Sequence, residues 1–150
     1  MRLGGPYPAL ESHLIRNFSK YAQLESDVNH SEWKWLTIGQ HHGLPTRLLD
    51  WTYSPFVALH FLTADRSNMD RDGAVWCVDY VRCHSELPPR LKQALETAGS
   101  YVFTVGMLER VTENLVGFDE LASNAFALFF EPPSMDARIV NQFALFSVLS

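Results

Sequence analysis

The sequence predicts an α+β fold in which N-terminal helices pack on a small, mainly antiparallel sheet from the C-terminal half. Helical periodicities come first along the chain and short β-rich runs come later, without the regular strand–helix alternation of a parallel sheet. Apolar residues make up 47% of the chain and charged residues 19%, which is typical of a folded globular protein. A chain of 150 residues is most simply one domain, so we expect residues 1–150 to form a single unit. The sequence stops inside an apolar run, and we expect the domain to be shortened at both ends.

Two amphipathic helices are predicted at the start. The first runs from Ala9 to about Leu24, with Glu11 on its polar side and apolar residues at helical spacing, namely Leu10, Leu14, Ile15, Phe18, Tyr21 and Ala22. The second begins at Ser31, a residue type that caps helix N-termini, and runs to His41.

A change of character follows at Gly43-Leu44-Pro45, which ends the second helix. The stretch Thr46–Trp51 is expected to form a turn or one short helical piece. Ser54-Pro55 then predicts a helix start, with Ser54 as the cap and proline at the first helical position. The helix after it is apolar almost all round, so we expect it to be buried.

The second half carries the strand predictions. By length and β-rich content these are Ala74–Asp79, Tyr101–Val105, Phe126–Phe130 and Phe143–Leu149. Helices are expected at Leu87–Ala98, Met107–Asn114 and Met135–Gln142. An open edge on the last strand would pair with a protein partner or a second copy, so a homo-oligomer through the C-terminal strand is expected.

The bulk composition excludes several classes of protein. The net charge of −5 argues against a nucleic-acid partner, which usually binds a basic face. Two cysteines cannot build a disulfide framework or a thiolate zinc site. No stretch approaches the length of a membrane span and no signal peptide opens the chain, so we expect a cytoplasmic protein without membrane contact.

The candidate site residues cluster between Gln40 and Ser54. Arg47 and Asp50, three apart among apolar neighbours, predict a partly buried ion pair that fixes the turn. Alternatively, Arg47 holds a phosphate or carboxylate through its guanidinium fork. His41 and His42 are adjacent and point about 100° apart on a helix. They therefore suit separate roles, in which one packs or caps the helix and the other acts as an acid, a base or a hydrogen-bond donor. Adjacent histidines cannot readily share one metal ion, so no metal site is predicted.

The block Gln40-His41-His42-Gly43-Leu44-Pro45-Thr46-Arg47-Leu48-Leu49-Asp50-Trp51-Thr52, followed by Ser54-Pro55, closely resembles the core signature of the bacterial FRG domain family. A second block resembles the family in Glu131-Pro132-Pro133, Asp136, Arg138-Ile139, Gln142 and Phe146. The aromatic-Arg-Gly triplet that names the family is missing upstream of Glu11.

The resemblance implies a toxin or phage-defence role and an analogy to ADP-ribosyltransferase-like folds, with NAD as the cofactor or substrate. His41, His42 and Gln142 would then be catalytic. Gln40, Arg47, Asp50, Ser54 and Arg138 would bind the nucleotide, in one concave site formed by both blocks. The missing triplet favours two other interpretations, an inactive remnant or a non-catalytic module that acts through protein contacts.

Overall fold

A computed structural model describes residues 8–22, 31–133 and 141–150. The described helices are α1 (Pro8–Ala22), α2 (Glu32–His41), α3 (Pro55–Thr63), α4 (Tyr80–His84), α5 (Pro89–Ala98), α6 (Val105–Val111) and α7 (Leu115–Asp119). A 3₁₀ turn covers Arg66–Asn68. The described strands are β1 (Leu49–Thr52), β2 (Phe103–Thr104), β3 (Ala127–Glu131) and β4 (Ala144–Leu149).

The four described strands form one sheet in the order β1-β4-β3-β2. The β1–β4 and β3–β4 pairs are antiparallel, and only the two-residue β2 pairs in parallel, on β3. The predicted α+β fold with a mainly antiparallel sheet is confirmed. The stretch Thr46–Trp51, which was expected to form a turn or one short helical piece, instead supplies most of the edge strand β1.

Helices pack against this sheet and enclose the core. Trp33 of α2 lies at its centre, fully buried, with its ring 5.2 Å from Phe118 and 6.1 Å from Phe130. The indole Nε1–H donates to the carbonyl and the hydroxyl of Thr112, both at 3.2 Å, so its polar atom is satisfied. Residues from both halves of the chain therefore meet in one core.

Local capping signals explain the helices that were predicted well. The Ser31 hydroxyl accepts the backbone N–H of Lys34 at the start of α2, as expected of an N-cap. Helix α5 ends at Gly99, whose φ of +60° is the left-handed conformation that glycine adopts without strain. The helix predicted at Met135–Gln142 lies mostly outside the described residues.

Helix α3 is where the burial prediction is wrong. None of its residues is buried, and Phe56 is 80% exposed. Ser54 precedes the helix but makes no side-chain cap bond, so its predicted capping role is wrong too. The apolar surface of α3 is of a kind that normally packs against other protein. The described part of the chain leaves that surface exposed to solvent.

The predicted buried strand Ala74–Asp79 is also wrong. The segment belongs to no helix or strand of the described chain and is exposed throughout. Trp76 is 80% exposed. Neither the strand nor the burial that its β-rich composition predicted is observed for this segment.

The C-terminal strand pairs as predicted, but its edge is not open. Strand β4 lies between β1, with Asp50 opposite Phe146, and β3, with Phe130 opposite Phe146. Both edges of β4 are therefore occupied within the chain. The expected oligomer contact through an open edge of this strand is wrong.

Candidate functional site

A cavity of about 810 Å³ lies against strand β1. The C-terminal turn of α2, one face of α3, residues 74–76 and part of β4 line it together with β1. Its lining residues are Gln40, His41, Leu49, Asp50, Trp51, Thr52, Val57, Ala58, Phe61, Leu62, Ala74, Val75, Trp76, Gln142, Ala144 and Phe146. The volume falls in the range of small-molecule and cofactor pockets.

Gln40 is fixed on the cavity wall by two side-chain partners. Its amide oxygen accepts the hydroxyl of Thr46 at 2.5 Å, which leaves the amide NH₂ to donate to Asp50 Oδ2 at 2.8 Å. Thr46 is itself held, because its Oγ1 accepts the backbone N–H of Leu48 at 3.1 Å. This series of hydrogen bonds, from Leu48 through Thr46 and Gln40, orients the exposed Asp50 carboxylate at the cavity. The Gln40 amide is neutral and brings no positive charge to it.

Gln142 reaches the cavity from the turn that precedes β4. The hydroxyl of Thr52 donates to the Gln142 carbonyl at 2.7 Å, across ninety residues of sequence. The backbone N–H of Tyr53 donates to the carbonyl of Phe143, which has a φ of +48°. A non-glycine residue in this conformation is uncommon and reverses the chain sharply. The two segments that resemble the family meet at this point.

The rings of His41 and His42 contact each other edge to face, with their centroids 5.3 Å apart, but the two side chains take different positions. His41 lines the cavity, whereas His42 is the exposed C-cap residue of α2, with its ring 6.1 Å from the ring of Phe18. Only His41 is placed to contact a ligand in the cavity. His42 has the packing and capping position that the sequence left open for one of the pair.

Arg47 lies outside the cavity lining and is held by two carboxylates. Its Nε donates to Glu11 Oε2 at 2.5 Å and its Nη1 to Asp119 Oδ1 at 2.6 Å, while its backbone N–H donates to Glu11 Oε1 at 2.7 Å. The Arg47 side chain is 7% exposed and that of Glu11 only 1%. The predicted Arg47–Asp50 ion pair is therefore wrong, since Asp50 is exposed and pairs with Gln40 instead.

The charge state of Arg47 follows from these partners. Burial by itself would lower the pKa of the guanidinium, but the hydrogen bond to Asp119 and the charge of Glu11 raise it above its ordinary value. Arg47 therefore stays charged and tied to α1 and α7. Its role is to join distant helices at the start of β1, and nothing frees it for a phosphate.

Two further predicted residues lie elsewhere. Ser54 is half-buried and its backbone N–H donates to Thr52 Oγ1 at 3.0 Å, but it is not among the lining residues. Arg138 lies outside the described residues. The structure thus brings Gln40, His41, Asp50 and Gln142 together, and separates His42, Arg47 and Ser54 from them.

The electrostatic character of the cavity is set by one group. Among the described lining residues, Asp50 is the only acidic side chain, and no lysine or arginine is present. The remaining wall is mostly apolar, with Phe61 and Trp76 offering aromatic surface. Such a site suits a neutral or cationic ring system with a few hydroxyl or amide groups.

Two buried polar residues were not predicted from the sequence. Glu11 was expected on the solvent side of α1, whereas its carboxylate is buried against Arg47. His84 was not among the predicted site residues and is buried between α4 and the sheet. There the Nδ1–H donates to the Tyr101 carbonyl at 3.0 Å, and Nε2 accepts the Phe129 N–H at 2.9 Å. Long-range partners define both roles, and local spacing carries no signal for them.

No helix in the described ranges is long and apolar enough to cross a membrane. Within the same ranges, no group of three or more His, Cys, Asp or Glu side chains is arranged to hold a metal ion.

Comparison with known proteins gives one result. The family model described as the FRG domain matches residues 1–71, a range that includes the whole Gln40–Ser54 block and both helices before it. The match does not extend to the second block at Glu131–Phe146. No curated protein and no solved structure is similar enough to this chain to support a comparison. The part of the chain that carries the central signature therefore matches the FRG domain family, as that signature predicted.

Proposed function

We propose that this FRG-domain protein binds a nucleotide such as NAD in the β1 cavity, through the nucleoside end rather than the pyrophosphate. The observation that carries the proposal is the meeting of Gln40, His41 and Asp50 with Gln142 around one cavity of about 810 Å³. Independent structural roles would not require residues ninety positions apart to share a cavity wall.

The chemistry of the wall supports the nucleoside end. Phe61 and Trp76 offer aromatic surface for a flat ring. The Asp50 carboxylate, held by Gln40, can accept hydrogen bonds from ribose hydroxyl groups. Its negative charge also favours a positively charged ring such as the nicotinamide of NAD. Gln142 can both donate to and accept from the sugar, but a neutral amide cannot act as a general base.

This arrangement also suggests how an ADP-ribosyltransferase-like reaction would be assisted. Breaking the bond between nicotinamide and ribose leaves positive charge on the sugar carbon, which a nearby carboxylate stabilises. Asp50 is the anion available for that purpose, and His41 lies on the same wall as a candidate acid or base. A toxin or phage-defence role would be the biological setting of such a reaction.

The alternative function is a non-catalytic binding or regulatory module. It is favoured by the lack of any lysine or arginine among the described lining residues, together with the commitment of Arg47 to Glu11 and Asp119. A pyrophosphate normally requires such a cation or a helix N-terminus.

Calorimetric titration with NAD, nicotinamide riboside, adenosine and inorganic pyrophosphate tests the proposal. We expect NAD and nicotinamide riboside to bind and pyrophosphate not to bind. Asp50→Asn and Gln142→Ala should each weaken binding by about 10- to 100-fold, the effect of losing one or two hydrogen bonds to a ligand. Gln93→Ala, on the exposed face of α5, is the matched control and should leave binding unchanged.

Two results would count against the proposal. If the Asp50 and Gln142 variants bind NAD as tightly as the natural chain, the ligand does not occupy this cavity. If none of the four compounds binds, the binding-module function is the better account. Release of nicotinamide from NAD, followed by chromatography, then separates an enzyme from a site that only binds.

A further inference from the structure

A groove of about 370 Å³ lies between α5 and α6, and we name it the arginine groove. Its α5 wall carries Arg90, Gln93 and Thr97, which recur every three or four positions and therefore share one face of the helix. Its α6 wall carries Arg110 and Met107, and Met107 is only 5% exposed. Among the described residues, the arginine groove and the β1 cavity have no lining residue in common.

The two arginines of the groove have no acidic partner within the described part of the chain. The Nη2 of Arg90 donates to the Val111 carbonyl at 2.9 Å, which is a neutral acceptor. The Nη1 of Arg110 lies 4.0 Å from the position of a Cβ built on Gly106, so this side chain folds back along α6. Neither guanidinium forms an ion pair with a described residue. Two positive charges therefore lie at one groove, and no described carboxylate lines it.

The carboxylates that are near the groove in sequence are placed elsewhere. Glu109 accepts a hydrogen bond from the Ser31 hydroxyl, and Glu96 lines a separate pocket together with Lys92. Glu113 is exposed and is not a lining residue of the groove. Since the whole chain carries a net charge of −5, the groove is a positive patch on an acidic protein. A ligand that this patch attracts should be negatively charged.

We infer that the arginine groove binds an acidic segment of a partner protein, whose carboxylates pair with Arg90 and Arg110 and whose apolar side chains pack on Met107. A guanidinium presents planar, paired donors that match the two oxygens of a carboxylate. Arg90 retains the donors on Nε and Nη1 after its bond to Val111. Groups of arginines are a recurring means of recognising acidic peptide motifs.

The remaining lining residues favour a peptide over a small free anion. Gln93 and Thr97 are exposed on the α5 wall and can both donate to and accept from a peptide backbone. Met107 offers a flexible apolar surface that adapts to different side chains. Polar groups around an apolar centre are the usual layout of a protein-binding surface. Inorganic pyrophosphate would use only the charges of the groove, so it should bind far more weakly than an acidic peptide with apolar residues.

Fluorescence polarisation with a fluorescein-labelled peptide Glu-Leu-Glu-Glu-Leu-Glu tests this inference, beside the neutral peptide Gln-Leu-Gln-Gln-Leu-Gln. We expect the acidic peptide alone to bind, and its affinity to fall as the salt concentration rises. Arg110→Gln should weaken binding by about 10-fold or more, the effect of losing a charge-assisted bond. The Arg110 side chain makes no hydrogen bond to a described residue, so its replacement should not affect folding, which circular dichroism verifies.

Two more variants separate the groove from the general charge of the surface. Gln93→Glu places a carboxylate one helical turn from Arg90, where it should pair with that arginine and weaken peptide binding. Arg82→Gln removes an exposed arginine of α4 that does not line the groove, and this matched control should leave binding unchanged. NAD titration of Arg110→Gln should match that of the natural chain, because Arg110 does not line the β1 cavity.

Four outcomes would overturn the inference. The acidic peptide could fail to bind up to about 1 mM, or the neutral peptide could bind as tightly. Arg110→Gln and Gln93→Glu could both bind the acidic peptide like the natural chain. Displacement of the peptide by an equal concentration of inorganic pyrophosphate would identify a site for small anions instead. Each of these results leaves the proposed NAD site to be judged by its own titrations.

Discussion

Replacing Glu11 by glutamine probes the buried ion network at the start of β1. The substitution keeps the shape of the side chain and removes its charge. Arg47, with a side chain only 7% exposed, would then keep Asp119 as its one carboxylate among the described residues. Asp119 is 31% exposed, so water weakens its hold on the guanidinium.

The magnitude follows from the burial of the pair. Removing one partner of a buried ion pair typically destabilises a protein by about 3–5 kcal/mol, because the other charge is left uncompensated. Since Asp119 remains, we expect the lower end, about 3 kcal/mol. In a chain of this size that lowers the midpoint of thermal unfolding by about 6–12 °C.

Urea unfolding followed by tryptophan fluorescence measures the change in the free energy of unfolding, since the chain carries four tryptophans. Asp119→Asn should cost about 1 kcal/mol or less, and Glu113→Gln, at an exposed position, should stay within about 0.5 kcal/mol of the natural chain. A Glu11→Gln effect below about 0.5 kcal/mol, or one smaller than that of Asp119→Asn, would refute the reasoning.

Two further predictions concern His84 and Gly99. Burial lowers the pKa of His84 below its ordinary value of 6.5, so the unfolded chain binds more protons below that pH. The free energy of unfolding should therefore fall as the pH drops below 6.5, by at most about 1.4 kcal/mol per pH unit from this group. Urea titrations at several pH values should show a smaller fall in His84→Asn. Gly99→Ala should destabilise the chain by about 1–2 kcal/mol, because φ is +60° there and no neighbour lies within 4 Å to compensate. Thermal unfolding of Gly99→Ala beside Gly106→Ala, a helical glycine with φ outside the left-handed region, measures that strain.

Local signals explain what could be predicted from the sequence. The cap at Ser31, the prolines before α5 and Gly99 after it each act within one helical turn, so the helix bounds follow from neighbouring residues. Apolar composition, by contrast, shows that a segment requires burial without showing what buries it. For that reason α3 and Ala74–Asp79 were expected in the core of this chain, whereas both lie on its surface.

Ion-pair partners were harder to predict for a related reason. Asp50, three residues away, was the nearest carboxylate to Arg47 in sequence. The actual partners, Glu11 and Asp119, are 36 and 72 residues away. Only the packing of α1 and α7 against the start of β1 brings them within reach. The placement of Asp50 and Gln142 at one cavity was predicted because the family resemblance linked their two blocks, and their proposed chemistry stays a prediction.

The Arg47 network bears on the cavity although it does not touch it. Arg47 lies two residues before β1, and its Nη1 also donates to the Leu149 carbonyl at the end of β4, at 3.4 Å. These bonds fix where β1 begins against β4, with Leu49 opposite Ser147. A slip of one residue would turn the whole strand over and carry Asp50 to the other face of the sheet. Weakening the network should therefore reduce NAD affinity in Glu11→Gln even where the protein is fully folded, while Glu113→Gln leaves the affinity unchanged. We therefore expect Arg47 to act on the proposed site as a positioning residue and Asp50 to act as its binding group.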